Sequence, residues 1–419
     1  AWWAVSHVIP YQVRRGFNPM AVAILLFGVV LTLIYAMGYG RGLPPVEASA
    51  ADRKMLMFAS VMGVALFAID AMPDRRRFDK LLRRLTLFAS LNALVAVIQF
   101  TTKFDLAARI VIPGLRPNSD FTEFKERGAS SFARVTGTST HPIEFGVMMA
   151  LVLPLAIHFA LHAKPGSRFR RWLIVALIAC SIPMSVSRSG TLALVVVALV
   201  IGNAWAPRIK VQALGVAMAG IVAFSGVVPG LIGTIRSSFT NLSNDPSVEG
   251  RTEDYNIIFT YIGDRPWFGR GPGTFLPARY IVLDNEALYT LATMGYVGLV
   301  AVLALVICAM LVARNISRNA GDDASRHLAI ALMAPVLAAL LVSLTFDSLS
   351  FPIFSGLLFF IFGAIGALWR LDREGDRSGR IRRRTPLLKS WRSIEHYEPH
   401  GLWDSIGISE KPGRSRRKP

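Results

Sequence analysis

Ten apolar runs follow one another along this chain of 419 residues. Each run is roughly 20 residues long, the length that a helix needs to cross the hydrocarbon core of a bilayer. The runs lie at 20–38, 55–72, 85–100, 143–162, 172–186, 190–206, 211–233, 287–313, 328–345 and 352–369. A further partial run, AWWAVSHVIP, opens the sequence and is interpreted as the end of another helix in a trimmed chain. We therefore predict an all-α, polytopic membrane protein with about 10–12 transmembrane helices.

The composition is that of a membrane protein rather than of a soluble enzyme. Only 17% of the residues are charged and 53% are hydrophobic, whereas soluble domains carry about 25% charged residues. A net charge of +19 would also suit nucleic-acid binding, but the recurring spans make a membrane the better interpretation. Cys180 and Cys308 both lie inside apolar runs, which excludes disulfides and cysteine-based metal sites. We expect no metal ion, no cofactor and no nucleic-acid partner.

The distribution of basic residues predicts the orientation of the spans, because cytoplasmic loops collect Lys and Arg. If the basic loop at 73–84 is cytoplasmic, roughly two thirds of the 46 Lys and Arg lie on the cytoplasmic side. Two long loops, 101–142 and 234–286, then lie on the outer face, and loops of such length are usually functional. The polytopic domain covers 1–369, and the basic tail at 370–419 is predicted to be disordered and cytoplasmic.

Four short motifs lie between residues 133 and 300. They are ARVTGTSTHPIEFG (133–146), SVSRSGTL (185–192), GRTEDYN with PWFGRGPGTF (250–275), and Asp284-Asn285 followed after nine residues by Gly295 and then Gly298. In order and spacing, these motifs resemble those of the O-antigen ligase and polymerase superfamily over about 130–370.

The resemblance implies a membrane glycosyltransferase of the C-type class. Such enzymes work on polyprenyl-diphosphate-linked glycans at the outer, periplasmic face of the bacterial inner membrane. Ligases of the superfamily usually carry His at the position of Asp284, whereas polymerases often carry an acidic residue there. The resemblance therefore favours a polymerase of O-antigen or exopolysaccharide repeat units. The partners that it implies are a lipid-linked glycan donor, a glycan acceptor, inner-membrane lipids and a chain-length regulator.

Arginines on the outer side are expected to bind the diphosphate. The diphosphate gains negative charge as the sugar–phosphate bond breaks, and the planar fork of Arg binds phosphate oxygens in a bidentate way. Arg188 stands alone between two apolar spans, so we predict a catalytic role for it; the alternative is that it snorkels to lipid headgroups. Arg251 and Arg279 are expected to complete the clamp, Arg251 as a catalytic residue and Arg279 as a substrate-binding residue. The alternative for both is a solvated loop charge.

Polar residues near two predicted helix starts complete the site. Asp284 is interpreted either as the general base that takes a proton from the acceptor hydroxyl or as a helix N-cap. Asn285 is expected to orient a sugar. Arg134 and His141 are expected to bind substrate, and His141 is interpreted equally as an acid–base group or as the cap of a helix that begins at Pro142.

Two other functions stay open on the sequence alone. A ligase would transfer a finished glycan to lipid A core or to protein instead of extending it. A non-catalytic transporter of lipid-linked glycans would suit Gly226, Pro229 and Gly230 near a helix end, because transporters often break helices within the membrane. The sequence has no internal repeat visible by eye, and its long loops on one side favour an enzyme.

Overall fold

The computed structural model describes residues 16–105, 134–228 and 257–384, together with positions 230 and 233, and describes side chains as far as Glu374. All regular secondary structure within these residues is helical, which confirms the all-α prediction. The long helices are α1 (Pro19–Tyr39), α2 (Pro45–Asp70), α3 (Arg75–Thr102), α4 (Pro142–Leu161), α5 (Arg168–Met184), α6 (Arg188–Asn203), α7 (Pro207–Val227), α8 (Glu286–Asn319), α9 (Asp323–Val342) and α10 (Pro352–Arg384). A helical segment at 257–264 precedes α8.

Seven helices in the described part of the chain are long and apolar enough to cross a bilayer, namely α1, α3, α4, α7, α8, α9 and α10. Helix α6 is apolar but has only 16 residues. Each predicted apolar run between 20 and 369 overlaps one helix within the described residues, which confirms a polytopic helical membrane protein. The partial run at 1–10 and much of the two long loops, 106–133 and 234–256, lie outside the described residues.

A side-chain cap starts helix α3 earlier than the hydrophobic pattern indicates. The Asp74 carboxylate accepts a hydrogen bond from the backbone N–H of Arg77 (2.8 Å). Arg75 and Asp79 then form an ion pair one turn apart (2.8 Å). Both contacts stabilise a helix start. The basic stretch at 73–84 is therefore mostly helix rather than the loop that we predicted.

Helix α10 continues to Arg384, so the boundary predicted at 370 lies inside a helix. By their contacts, residues 1–373 form one compact unit and residues 374–419 form a second. Of the second unit only the helical part at 374–384 is described, and the remaining tail lies outside the described residues. The disorder and cytoplasmic location of that tail stay predictions.

Helix α4 lies at the centre of the bundle. It packs against α3, α5, α6 and α9, and nearly all of its side chains are buried. A helix that is apolar on every side requires such burial. Its first turn approaches α6 closely, because a Cβ on Gly190 would lie 3.1 Å from the carbonyl carbon of Gly146. The two glycines thus bring the N-terminal ends of α4 and α6 together.

Helix α8 is broken at Gly295, where φ is 66°. The turn at 266–273 (PWFGRGPG) fills the break. Four backbone hydrogen bonds join turn and helix: Tyr296 N–H to Pro266 O (2.8 Å), Val297 N–H to Trp267 O (3.1 Å), Arg270 N–H to Ala292 O (3.1 Å) and Gly271 N–H to Thr293 O (2.8 Å). A Cβ on Gly295 would overlap the backbone of Trp267 and Phe268. Glycine is therefore required at 295 for both its φ and the contact.

We expect Gly295→Ala to destabilise the protein by about 2–5 kcal/mol, because the added methyl meets backbone atoms and the φ is unfavourable for alanine. Gly263→Ala is the matched control, since nothing lies within 4 Å of its added Cβ. The measurement is the unfolding temperature of the purified protein in detergent. Equal unfolding temperatures for the two variants would contradict the docking of the turn into α8.

Candidate active site

The N-terminal ends of α4, α6, α8 and α10 meet at one end of the bundle. They meet around residues 343–354, which comprise the connection from α9 to α10 and the first residues of α10 and are called the hub segment below. The hydroxyl of Thr345 in this segment lies 2.7 Å from that of Ser189 in the first turn of α6. The backbone N–H of Glu286, at the start of α8, donates to the carbonyl of Ser343 (2.8 Å). Because a helix N-terminus carries partial positive charge, this end of the bundle suits an anionic ligand.

Glu144 holds the hub segment against α4. The carboxylate is buried and accepts hydrogen bonds from the backbone N–H groups of Ile353 and Phe354 (3.1 Å each), in the first turn of α10. Its other oxygen accepts from the Thr140 hydroxyl (3.1 Å). These contacts tie the starts of α4 and α10 together, which makes Glu144 a positioning residue.

Glu286 holds the start of α8 against the hub segment. One carboxylate oxygen accepts from the backbone N–H of Leu349 in the hub segment (2.7 Å), and the other accepts from the Thr290 hydroxyl (3.0 Å). Lys54 of α2 donates from Nζ to the carbonyl of Leu349 (2.7 Å). A narrow, partly open pocket lies between Lys54, Glu286 and the Pro272-Gly273 turn. The hub segment is thus held from four helices by buried polar contacts.

Asp347 of the hub segment is a half-buried carboxyl group. Burial raises its pKa to about 6, and the negative charge of the nearby Asp284 adds to the rise, whereas Lys54 opposes it. A carboxylate with a pKa near 6 is ionised at neutral pH but accepts a proton more readily than an ordinary aspartate. Asp347 therefore has the properties of a general base, and the sequence analysis did not identify it.

His141 caps α4, as one of its two predicted roles requires. Its Nδ1 accepts a hydrogen bond from the backbone N–H of Ile143 (3.2 Å), so its proton lies on Nε2. Burial lowers the pKa of His141, the nearby Arg134 lowers it further, and Asp284 opposes both. The imidazole is therefore neutral at physiological pH, and its Nε2–H is a hydrogen-bond donor. In this tautomer His141 suits substrate binding better than proton abstraction.

Asp284 and Asn285 take different positions at the start of α8. Asn285 is the N-cap, because its side-chain oxygen accepts from the backbone N–H groups of Ala287 (3.0 Å) and Leu288 (3.3 Å). Its amide nitrogen is then the group that remains to orient a sugar. Asp284 precedes the cap, and its charge acts on both His141 and Asp347. Three separate chain segments thus place these side chains in one neighbourhood.

The predicted arginines occupy different environments. Arg188 is half-buried at the first position of α6, next to Ser189, whose hydroxyl contacts the hub segment. Arg134 donates from Nε to the carbonyl of Ser185 (3.4 Å), in the turn that precedes α6. The structure therefore brings Arg134 and Arg188 to the same turn, beside the start of α4. Arg251 lies outside the described residues.

Arg279 lies half-exposed and pairs with a buried carboxylate. Its Nη1 is 3.4 Å from Oε1 of Glu47, whose side chain is 1% exposed. The same oxygen accepts a hydrogen bond from the Tyr280 hydroxyl (2.6 Å). This ion pair gives Arg279 a structural role at the start of α2, and substrate binding by it stays a prediction.

Residues 173–303 match a family model described as O-Antigen ligase. The match covers 131 of the 419 residues, and over these residues the chain is similar to that family. The resemblance drawn from the sequence motifs is confirmed, and the matched residues include Arg188, Asp284 and the break at Gly295. Family and apolar helices together indicate a multi-pass protein of the bacterial inner membrane.

A solved structure described as "Structural coordination of polymerization and crosslinking by a peptidoglycan synthase complex" is similar over 83% of this chain and 96% of its own, at 16% identity and a TM-score of 0.45. No curated protein matches the chain.

Proposed function

We propose that the protein is a membrane glycosyltransferase that polymerises glycan repeat units carried on polyprenyl diphosphate. The observation that carries the proposal is the meeting of four helix N-termini with Arg188, His141, Asp284 and Asp347 at one end of the bundle. Helix N-termini and arginine attract a diphosphate, and a carboxylate activates a hydroxyl. The family match of residues 173–303 supports glycan assembly as the process.

The proposed reaction uses these groups in one step. The Asp347 carboxylate takes the proton from the acceptor hydroxyl, and the acceptor oxygen forms a bond to the anomeric carbon of the donor. The bond between that carbon and the phosphate oxygen breaks, and polyprenyl diphosphate leaves. Arg188 and the N-terminus of α6 stabilise the charge that grows on the leaving group. The Nε2–H of His141 donates to a glycan oxygen or to the diphosphate.

The proposed orientation places this site at the periplasmic face. The opposite end of the bundle holds the N-terminal turns of α3 and α9, where Arg75 donates to the hydroxyl of Ser325 (2.6 Å). The basic residues of 73–84 lie at that end, as expected for a cytoplasmic surface. The site and the polyprenyl-linked glycan then lie on the same side of the membrane.

The break in α8 is a feature that transporters also have, because transporters line their substrate sites with broken helices. Here the four hydrogen bonds of the turn at 266–273 occupy the break, so the freed backbone groups bind protein instead of lining a cavity. The break therefore supports an enzyme with a rigid site more than a transporter.

A deletion strain separates the proposed reaction from ligation. Loss of a polymerase leaves single repeat units on the lipid carrier, whereas loss of a ligase leaves full-length chains that are not attached. We expect the deletion strain to accumulate lipid-linked single units, measured by extraction and mass spectrometry, and the wild-type gene to reverse the accumulation. Full-length unattached chains would assign the protein as a ligase, and normal polymer would contradict both.

A further inference from the structure

Three histidines gather at the end of the bundle opposite to the candidate active site. His158 lies in the last turn of α4, His162 directly follows that helix, and His327 lies in the first turns of α9. His158 is 17 residues along α4 from His141, which corresponds to about 25 Å of helix. The cluster is therefore separate from the groups proposed for glycosyl transfer.

The three imidazoles have the spacing of metal ligands. Nδ1 of His158 lies 3.0 Å from Nδ1 of His327, and one nitrogen from each of the three rings lies within 4.8 Å of the others. Ligand nitrogens about 2.0–2.1 Å from a tetrahedral ion are about 3.3 Å apart. Small side-chain movements therefore suffice to place an ion among the rings.

The hydrogen bonds of the cluster fix the tautomers. The indole N–H of Trp205 donates to Nε2 of His327 (3.1 Å), so the proton of a neutral His327 is on Nδ1 and is donated to His158. His162 donates from Nδ1 to the carbonyl of His158 (2.9 Å), which leaves its Nε2 lone pair available. Metal-binding histidines commonly donate their second N–H to a backbone carbonyl in this way.

We propose that His158, His162 and His327 bind one divalent transition-metal ion of the zinc class. Neutral imidazoles prefer ions of this class, and three protein ligands leave a fourth position for water. The ion joins the C-terminal end of α4 to the N-terminal end of α9. It stabilises the pair of helices whose opposite ends carry His141 and the hub segment.

Binding has a consequence for Trp205. When Nδ1 of His327 bonds to the ion, its proton moves to Nε2, which changes from acceptor to donor. The indole N–H of Trp205 then loses its acceptor. Removing this competing hydrogen bond by Trp205→Phe is expected to tighten metal binding by about two- to tenfold.

The test uses the full chain, purified in detergent without a polyhistidine tag, stripped with a chelator and dialysed against zinc. We expect about one zinc per chain by elemental analysis, and zinc should raise the unfolding temperature. His162→Gln should weaken zinc binding at least about tenfold. This variant is the mildest, because His162 is exposed and its loss leaves the bundle core intact. His327→Gln is the second variant and keeps an acceptor for Trp205.

The matched control replaces both tail histidines, His396 and His400, by Gln, and should leave zinc binding unchanged. Failure of the wild-type chain to retain zinc would overturn the proposal. Retention of zinc with equal affinity in His162→Gln and His327→Gln would also overturn it, because the ion would then lie elsewhere. Weaker binding in Trp205→Phe would contradict the tautomer change. None of these outcomes bears on glycosyl transfer.

Discussion

Asp347→Asn is expected to lower the rate of glycan polymerisation by about 10²- to 10⁴-fold, the range for loss of a general base. Asn keeps the size of the side chain and one acceptor oxygen but does not accept a proton. The variant should fold at least as well as the wild type, because it removes a negative charge whose burial is unfavourable. The measurement is polymer length and amount at equal protein level in the membrane. Asp323→Asn is the control, since its side chain is 95% exposed at the other end of the bundle.

The pH dependence of polymerisation by the wild type follows from the pKa of Asp347. The folded-state pKa of Asp347 is raised to about 6, so the proton-accepting form is present above pH 6 and is lost as the pH falls through that value. We expect polymerisation by the wild type to decline below about pH 6.

Asp284→Asn discriminates between the two carboxylates. Without the negative charge of Asp284 the pKa of Asp347 should fall, so the pH below which the rate declines should also fall. The loss of rate should be smaller than in Asp347→Asn. If instead Asp284→Asn lowers the rate of polymerisation by about 10²-fold or more and Asp347→Asn retains activity, the base is Asp284, as the sequence alone indicated. Partial activity of Asp284→His would then agree with the His that related ligases carry.

Arg188→Lys is expected to fail nearly as badly as Arg188→Ala, with polymer synthesis reduced by about 10²-fold or more. Lys retains the charge but loses the planar fork that binds two phosphate oxygens. Protein level and unfolding temperature should stay near those of the wild type, because Arg188 lies at a half-buried helix start rather than in the core.

Arg279→Lys is the matched control for this prediction. Arg279 pairs with Glu47 through a single contact of 3.4 Å, which Lys can replace, so most of the activity should remain. Full polymer synthesis by Arg188→Lys would show that Arg188 anchors the protein to headgroups and would contradict bidentate phosphate binding. Equal losses of polymer synthesis in Arg188→Lys and Arg279→Lys would support the predicted role of Arg279 in binding the diphosphate.

The helices could be predicted from the sequence because apolar runs of this length have few alternatives in a bilayer. Their exact ends could not, because side chains and tertiary contacts set them. Asp74 extends α3 into the basic stretch at 73–84, and Gly295 breaks α8 only because the turn at 266–273 packs there. An apolar run with a glycine in it does not distinguish a broken helix from a continuous one.

The positions of the candidate site residues could be predicted in part, and their roles stay predictions. Arg188, Arg134, His141 and Asp284 lie at one end of the bundle, as their positions near helix starts indicated. The sequence did not show that Asn285 rather than Asp284 caps α8, because either residue is a suitable cap.

Other groups depend on segments that are distant in the chain. Asp347 and Lys54 act at the site only because α2, α8 and the hub segment pack together. An aspartate between two apolar runs was the one local signal for Asp347. The spacing of His158 and His162, one helical turn apart, was a similar signal for the histidine cluster, but its third member lies on α9.

The most direct test of the proposed function is turnover by the purified full chain in lipid nanodiscs. The substrate is a polyprenyl-diphosphate-linked repeat unit, and the products measured are free polyprenyl diphosphate and lengthened glycan. We predict that the wild type forms both products together and without a nucleotide. We predict that Asp347→Asn and Arg188→Ala form neither product above background. Turnover by these variants at the wild-type rate, or none by a folded wild type given its native repeat unit, would contradict the proposed site and reaction.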